Sequence, residues 1–149
     1  MELCLFRIDQ QEYAVPMISV REVLNRPRIS PIPLAPETVS GMTHFRGEVV
    51  PVFAVDRILG AEGSPFSRQQ ERSRVLVVTQ ANRVLGIQVD QVDQMTLEEA
   101  PSDLFPDDAG SILEKPAFYH NRTFRPVSLP FLFRSLQQSL STITLQLLN

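Results

Sequence analysis

The sequence predicts an all-β protein: two small β-barrel lobes packed together, joined by short connecting helices and followed by a C-terminal helix. Three observations lead there. Apolar runs of strand length recur between polar turns, as at Leu3–Phe6, Val49–Val55 and Val75–Val78. Two halves of the chain repeat one plan. Twelve prolines suit extended connections and oppose a helical protein.

The repeat places LCLFRIDQQEYAVPMISVREV (Leu3 to Val23) over VLVVTQANRVLGIQVDQVDQM (Val75 to Met95), at a shift of 72 positions without a gap. Leu5 meets Val77, Val15 meets Ile87, Met17 meets Val89 and Val20 meets Val92. Each copy reads as strand, polar turn, strand. Asp9 and Asn82 suit those turns because they tolerate the backbone angles of a tight reversal. Pro27, Pro31, Pro33 and Pro36 then space out a rigid, extended connection. A second echo matches the pattern of Phe45–Gly60 to that of Asn121–Leu136, with Pro51 over Pro126 at a shift of 75. Each of these segments runs from a polar turn through an apolar strand to a short helix-like piece.

Residues 60–73 and 100–111 are polar and turn-rich, hence surface loops. Leu132, Leu136, Leu140, Ile143 and Leu147 share one helical face, with Pro130 where a first turn accepts proline. One copy alone, at roughly 65–75 residues, buries too little surface to be stable. Packing two copies as barrels remedies that and hides strand edges. The expected division is one domain, 1–149, with lobe one at roughly 1–60 plus the helix 130–148 and lobe two at roughly 72–129.

Charge and chemistry exclude much. The net charge of -3, with arginines dispersed along the chain, opposes nucleic acid as a partner. Cys4 is the lone cysteine, so neither an intrachain disulfide nor a cysteine metal cage can form; it reads as a small buried hydrophobe. No apolar run nears the roughly 20 residues that span a bilayer. The start, MELCLFRID, lacks the basic region of a signal peptide. A cytoplasmic protein without direct membrane insertion is expected. His44 and His120 lack partners at metal-ligand spacing, and no nucleophile elbow or phosphate-binding glycine loop occurs. The pairs Glu98-Glu99 and Asp107-Asp108 read as solvated turns. Neither enzymatic activity, cofactor nor metal is expected.

Two charges stand in apolar surroundings: Glu22 between Val20 and Val23, and Arg46 between Phe45 and Gly47. Such groups are usually paired, so a partly buried Glu22–Arg46 ion pair is one reading and two independent surface charges the other. Gly41 and Gly47 suggest tight turns, or close approach by a partner's backbone. Gly86, inside an apolar strand, suggests a bulge or a packing contact.

These pieces, in order, resemble the CheW family of chemosensory adaptors over nearly the whole chain. The matching segments are YAVP-xxx-VREVL at Tyr13–Leu24, P-x-P-x-AP at Pro31–Pro36 and G-x-x-x-x-RG-x-VVPV at Gly41–Val52. DRILG at Asp56–Gly60, SRVLVV at Ser73–Val78 and GIQVDQV at Gly86–Val92 complete them. The resemblance implies two SH3-like five-stranded barrels around a shared core. It also implies a non-enzymatic adaptor between a chemoreceptor's cytoplasmic hairpin and the regulatory domain of a CheA-like histidine kinase, recruited to membrane-associated arrays. By the family's pattern, Val20, Glu22, Gly41 and Arg46 would map onto positions tied to receptor or kinase coupling. Met17, Val50, Ile87 and Val89 would line an apolar groove receiving a partner helix. His44-Phe45 before the Arg-Gly, and the last quarter of the chain, depart from the family's pattern. A rival reading from another class is a small-molecule-binding β-barrel with a pocket between or inside the lobes.

Overall fold

The computed structural model describes residues 1–60, 72–99 and 101–137. Ten strands form two five-stranded sheets. In chain order they are β1 (Glu2–Ile8), β2 (Gln11–Pro16), β3 (Val20–Asn25), β4 (Val39–Phe45) and β5 (Glu48–Phe53), then β6 (Arg74–Gln80), β7 (Arg83–Val89), β8 (Gln91–Thr96), β9 (Ala117–Tyr119) and β10 (Arg122–Pro126). Sheet I has the order β8-β1-β2-β10-β9 and sheet II the order β3-β6-β7-β5-β4.

The duplication is real in three dimensions, but the copies exchange strands. Pairing β1 with β6, β2 with β7, and so on to β10 with β5 turns one sheet order into the other. Each sheet therefore holds the first two strands of one copy and the last three of the other. The contiguous lobes expected at 1–60 and 72–129 are not the sheets. The crossing occurs where Pro16 ends β2 and a 3-10 turn, Met17–Ser19, carries the chain over to sheet II. In the second copy the bend at Asp90 does the same between β7 and β8.

Both faces of the central strands are covered, which is why they read as unbroken apolar runs. Cys4, Phe6 and Ile8 of β1 face a shared core with Leu76, Val78, Leu85 and Ile87 of sheet II. Leu3 and Leu5 face the interior of sheet I with Met95, Leu104 and Phe124. Val75 and Val77 fill sheet II with Phe45, Val50 and Val52. Cys4 is fully buried, and that burial pushes its thiol up to about 11.

The turns follow sequence chemistry. Asp9 (φ 56) turns β1 into β2, Ala81 and Asn82 (φ 49 and 66) turn β6 into β7, and His120 and Asn121 (φ 52 and 60) turn β9 into β10. In the latter two turns both central residues have positive φ, the hairpin geometry that matches strand twist. The proline-rich connection after β3 is less straight than expected: Leu34 sits at φ 63, and Ala35 and Val39 donate backbone hydrogen bonds to Ile32 and Pro36. Residues 56–60 form one hydrogen-bonded turn, Leu59 to Val55 and Gly60 to Arg57. Connecting helices thus reduce, among the described residues, to turns.

The C-terminal helix α1 is described over residues 129–137. Ser128 caps it: its hydroxyl accepts from the Phe131 N–H at 3.3 Å. Pro130 falls in the first turn, where the missing N–H costs nothing. Leu132, Phe133 and Leu136 pack into the shared core. Leu140, Ile143 and Leu147 lie outside the described residues.

Neither sheet closes as a barrel by a strand ladder; both orders are linear. The gap in sheet II is spanned by one bridge, Ser30–Met42, whose two backbone bonds measure 2.8 and 2.9 Å. Sheet I has an edge strand, β9, of only three residues, too short for a closing ladder.

Candidate functional site

Two seams mark where the edges of each sheet approach. Seam II lies between edge strand β3 and the β4–β5 hairpin. Arg46 and Gly47 form that hairpin's tip with φ 50 and 81, the type I′ geometry, in which glycine is the natural second residue. The turn thrusts the Arg46 side chain outward. Its guanidinium lies 5.1 Å from the Phe45 ring centroid and its Nε lies 3.9 Å from a Glu22 carboxylate oxygen. The expected pair is therefore present, yet the side chains are 70% and 45% exposed rather than partly buried. An ion pair this open contributes little to stability.

Gly41 is neither a turn residue nor open to a partner. A Cβ there would lie 2.3 Å from the Ser30 carbonyl oxygen, so the chain's own backbone occupies the space. Glycine at 41 lets the 26–30 segment cross β4 and make the Ser30–Met42 bridge. Gly86 likewise answers to packing. Its β6–β7 pairing runs without a bulge, and a Cβ would lie 2.7 Å from a Val75 methyl.

Of the remaining expected contact residues, Met17 and Val20 are half-buried and pack on the shared core beside the start of β3. Val50, Ile87 and Val89 are at most 1% exposed and belong to the cores. They do not line an open groove. Alternation along β5 and β7 turns them inward between covering layers, where no partner helix can touch them in this conformation. His44 is exposed, and no group of three or more metal-ligating side chains occurs among the described residues.

Sequence reasoning missed two arginines. Arg72, with a side chain 0% exposed, gathers Asp56 at 2.8 Å, Asp9 at 3.1 Å and Asp90 at 3.3 Å. Burial opposes its charge, but the three carboxylates outweigh it and raise its pKa. The Arg72 Nε and the second Asp56 oxygen are close to their partners without making hydrogen bonds, so Coulomb attraction carries those contacts. Asp9 sits in the sheet I hairpin, Asp56 follows β5 of sheet II, and Asp90 links the sheets. Arg72 is thus a bolt between them.

Arg122, at the start of β10, closes seam I. It donates to Asp93 of β8 at 2.6 Å and forms a second ion pair with Glu12 of β2. The hydrogen bond from Arg122 holds Asp93 below the usual carboxylate range. His120, in the β9–β10 turn, adds an Nε2 contact to the Thr96 carbonyl at 3.2 Å.

A cleft of about 270 Å³ opens beside the start of β3, lined by Pro16, Ser19, Gln80, Phe105, Leu129 and Pro130 among others. It falls below the roughly 300–1,000 Å³ of small-molecule sites, so it does not favour the ligand-binding reading.

Comparison with known proteins gives one family. The model of the CheW-like domain matches residues 2–104. Protein PilI of Pseudomonas aeruginosa is 35% identical over 100 residues, covering 67% of this chain and 53% of PilI. Chemotaxis protein CheW of Rhizobium meliloti is 32% identical over 107 residues, 71% of this chain and 67% of that protein. Protein FrzA of Myxococcus xanthus is 33% identical over 110 residues, 73% of this chain and 66% of FrzA. The chain thus spans about half to two thirds of these relatives. Among solved structures, the scaffolding protein TtCheW of Thermoanaerobacter tengcongensis superposes with a TM-score of 0.70 at 22% identity, over 89% of this chain and 91% of that one. That likeness carries the fold.

Proposed function

Because this chain belongs to the CheW-like domain family, we propose that it is a non-enzymatic signalling adaptor, a single CheW-like domain over 1–149. In this reading it joins the cytoplasmic hairpin of a chemoreceptor to the regulatory domain of a CheA-type histidine kinase. The array it serves steers chemotaxis, phototaxis or pilus-driven motility, on the cytoplasmic side of the membrane. The names of the relatives, a chemotaxis protein among them, support the class.

The observation that carries the proposal is seam II. Glu22 and Arg46 are charged, exposed and weakly paired, so the fold does not need them where they are. Glu22 lies on edge strand β3 and Arg46 at the tip of the facing β4–β5 hairpin, with half-buried Met17 and Val20 close to Glu22 in the chain. Apolar contacts ringed by charge suit a modest, reversible signalling contact. Multiplicity in an array then supplies the strength that one contact lacks. No helix among the described residues is long and apolar enough to cross a membrane, so recruitment to an array would run through protein contacts.

A titration of the protein against the regulatory domain of a CheA-type kinase encoded beside it tests the proposal. Saturable binding at micromolar or tighter dissociation constants is expected. A protein that melts cooperatively yet binds no such domain, and no receptor hairpin either, overturns the reading.

A further inference from the structure

β3 does not copy its counterpart. In sheet I, β8 pairs with β1 in unbroken register, Val92 opposite Phe6 and Asp93 opposite Leu5. In sheet II, Val20 lies opposite Val78, but the next pair is Glu22 with Val77. Val78 and Val77 occupy the places of Phe6 and Leu5 in the repeat. Val20 therefore matches Val92, Glu22 matches Asp93, and Arg21 matches nothing. It is one residue inserted as a β-bulge, and the gapless superposition of the two copies slips there by one.

A bulge re-aims side chains and breaks alternation. Here it leaves Arg21 and Glu22, adjacent in sequence, both exposed between half-buried Val20 and Val23. Charge then decides what the position can take. The Glu22 carboxylate already faces Arg46 at 3.9 Å. Arg21 has no ion pair or hydrogen bond from its side chain among the described residues. With exposed Glu48, beside Arg46 on the hairpin, the charges here sum to zero, so what the bulge adds is not net charge but a guanidinium without a partner of its own. Seam I shows the satisfied arrangement: Arg122 there holds two carboxylates, Asp93 and Glu12. In seam II the Glu22 carboxylate faces Arg46, and Arg21 has none.

From this unpartnered guanidinium at the bulge, and resting on the adaptor reading, we infer that Arg21 is a specificity residue: it takes a carboxylate side chain from the docked chemoreceptor hairpin, completing the seam. The partner segment is acidic at that point. A guanidinium binds a carboxylate through two parallel hydrogen bonds, which fixes orientation as well as sign. The bulge keeps Val20 and Val23 packed on the shared core while leaving the Arg21 side chain without an ion pair or hydrogen bond among the described residues.

The test uses the full chain and a synthetic helical hairpin carrying the cytoplasmic tip sequence of a chemoreceptor encoded beside it. Wild type, Arg21→Gln and Arg21→Lys are titrated at low and at physiological salt, and each is melted. Arg21→Gln is expected to melt like wild type, to bind about five- to tenfold more weakly at low salt and to lose part of the salt dependence. Arg21→Lys keeps the salt dependence and recovers only part of the affinity. A hairpin whose tip glutamates are changed to glutamine should bind wild type and Arg21→Gln alike. If wild type binds and Arg21→Gln matches it in affinity and salt slope, the inference falls while the adaptor reading stands. If wild type binds the kinase domain but not this hairpin, the inference falls alone; if it binds neither, the adaptor reading falls and takes the inference with it.

Discussion

Seams I and II occupy equivalent places in the two copies, and charge fills them in opposite ways. In seam I, Arg122 is 32% exposed and engages two carboxylates, one at 2.6 Å. In seam II, Arg46 is 70% exposed and stands 3.9 Å from its one carboxylate. The β8 edge of seam I pairs in unbroken register, whereas the β3 edge of seam II carries a bulge at Arg21. Duplication supplied two copies of one edge, but a fold needs only so much fastening. One edge was tightened with a second acid, while the other was left open, with its arginines turned outward. Ion pairs that hold this protein together are thus distinguishable from those that face a partner by burial and by completeness of charge.

The sharpest test of that distinction lies at the bolt between the sheets. Replacing Arg72 by methionine keeps the bulk and leaves Asp9, Asp56 and Asp90 to repel one another. Breaking a buried charge network by removing one partner costs about 3–5 kcal/mol. Chemical denaturation of Arg72→Met should show a loss of that order. A loss under about 1 kcal/mol would mean that the cluster is no fastener and that burial does not separate the two classes.

Gly41→Ala addresses the backbone closure of sheet II. The added Cβ would meet the Ser30 carbonyl at 2.3 Å, from a φ of 148 that side chains rarely adopt. A loss of about 3 kcal/mol is expected from overpacking and strain together, read as a lower midpoint in urea. An unchanged midpoint would show that the Ser30–Met42 bridge is dispensable. Seam II would then be open at the backbone as well as in its side chains.

Arg122→Gln should cost less, about 2 kcal/mol, because its charged hydrogen bonds are only partly covered. It also has a pH signature. Arg122 keeps the Asp93 pKa below its ordinary value of 3.8 in the fold. The stability from that contact is complete above the unfolded value and is lost as pH falls through the lower folded one. In the variant, the Asp93 carboxyl followed by NMR should titrate nearer its ordinary value. If it does not move, Arg122 is not what closes seam I.

Much of this was legible in the chain, for reasons that also explain the failures. Turn residues announce themselves locally, so the reversals at Asp9 and Asn82 could be placed from residue type alone. The duplication shows as a shift between apolar patterns, which survive when identity does not. Which copy's strands share a sheet cannot be read that way, because exchanging strands between two like copies leaves every pattern intact. The same blindness misplaced Val50, Ile87 and Val89. An apolar residue in a strand points to some covered face, and only the packing reveals that both faces here are covered. Arg72 was invisible because its three acids come from 63 residues upstream, 16 residues upstream and the far end of β7. The Arg21 bulge could have been found by letting the repeat slip by one, as a match of Glu22 with Asp93 pairs like charge with like.

The smallest expected change in stability belongs to the exposed pair, and it is the one with the largest consequence for function. Glu22→Arg or Arg46→Glu should shift stability by less than about 1 kcal/mol, as exposed pairs do. Each should weaken partner binding more than tenfold. The double exchange, Glu22→Arg with Arg46→Glu, separates two explanations. It restores opposite charges at the same distance, so whatever internal attraction the pair supplies returns and the melting temperature recovers. A partner that reads the sign of each charge meets a reversed surface and still fails to bind. Recovery of binding by the double exchange would mean that the pair acts only by bracing the hairpin, and seam II would join seam I as a fastening. If Arg46→Glu alone fails to fold, that conclusion follows at once, since an arginine the fold cannot lose is not one held in reserve for a partner.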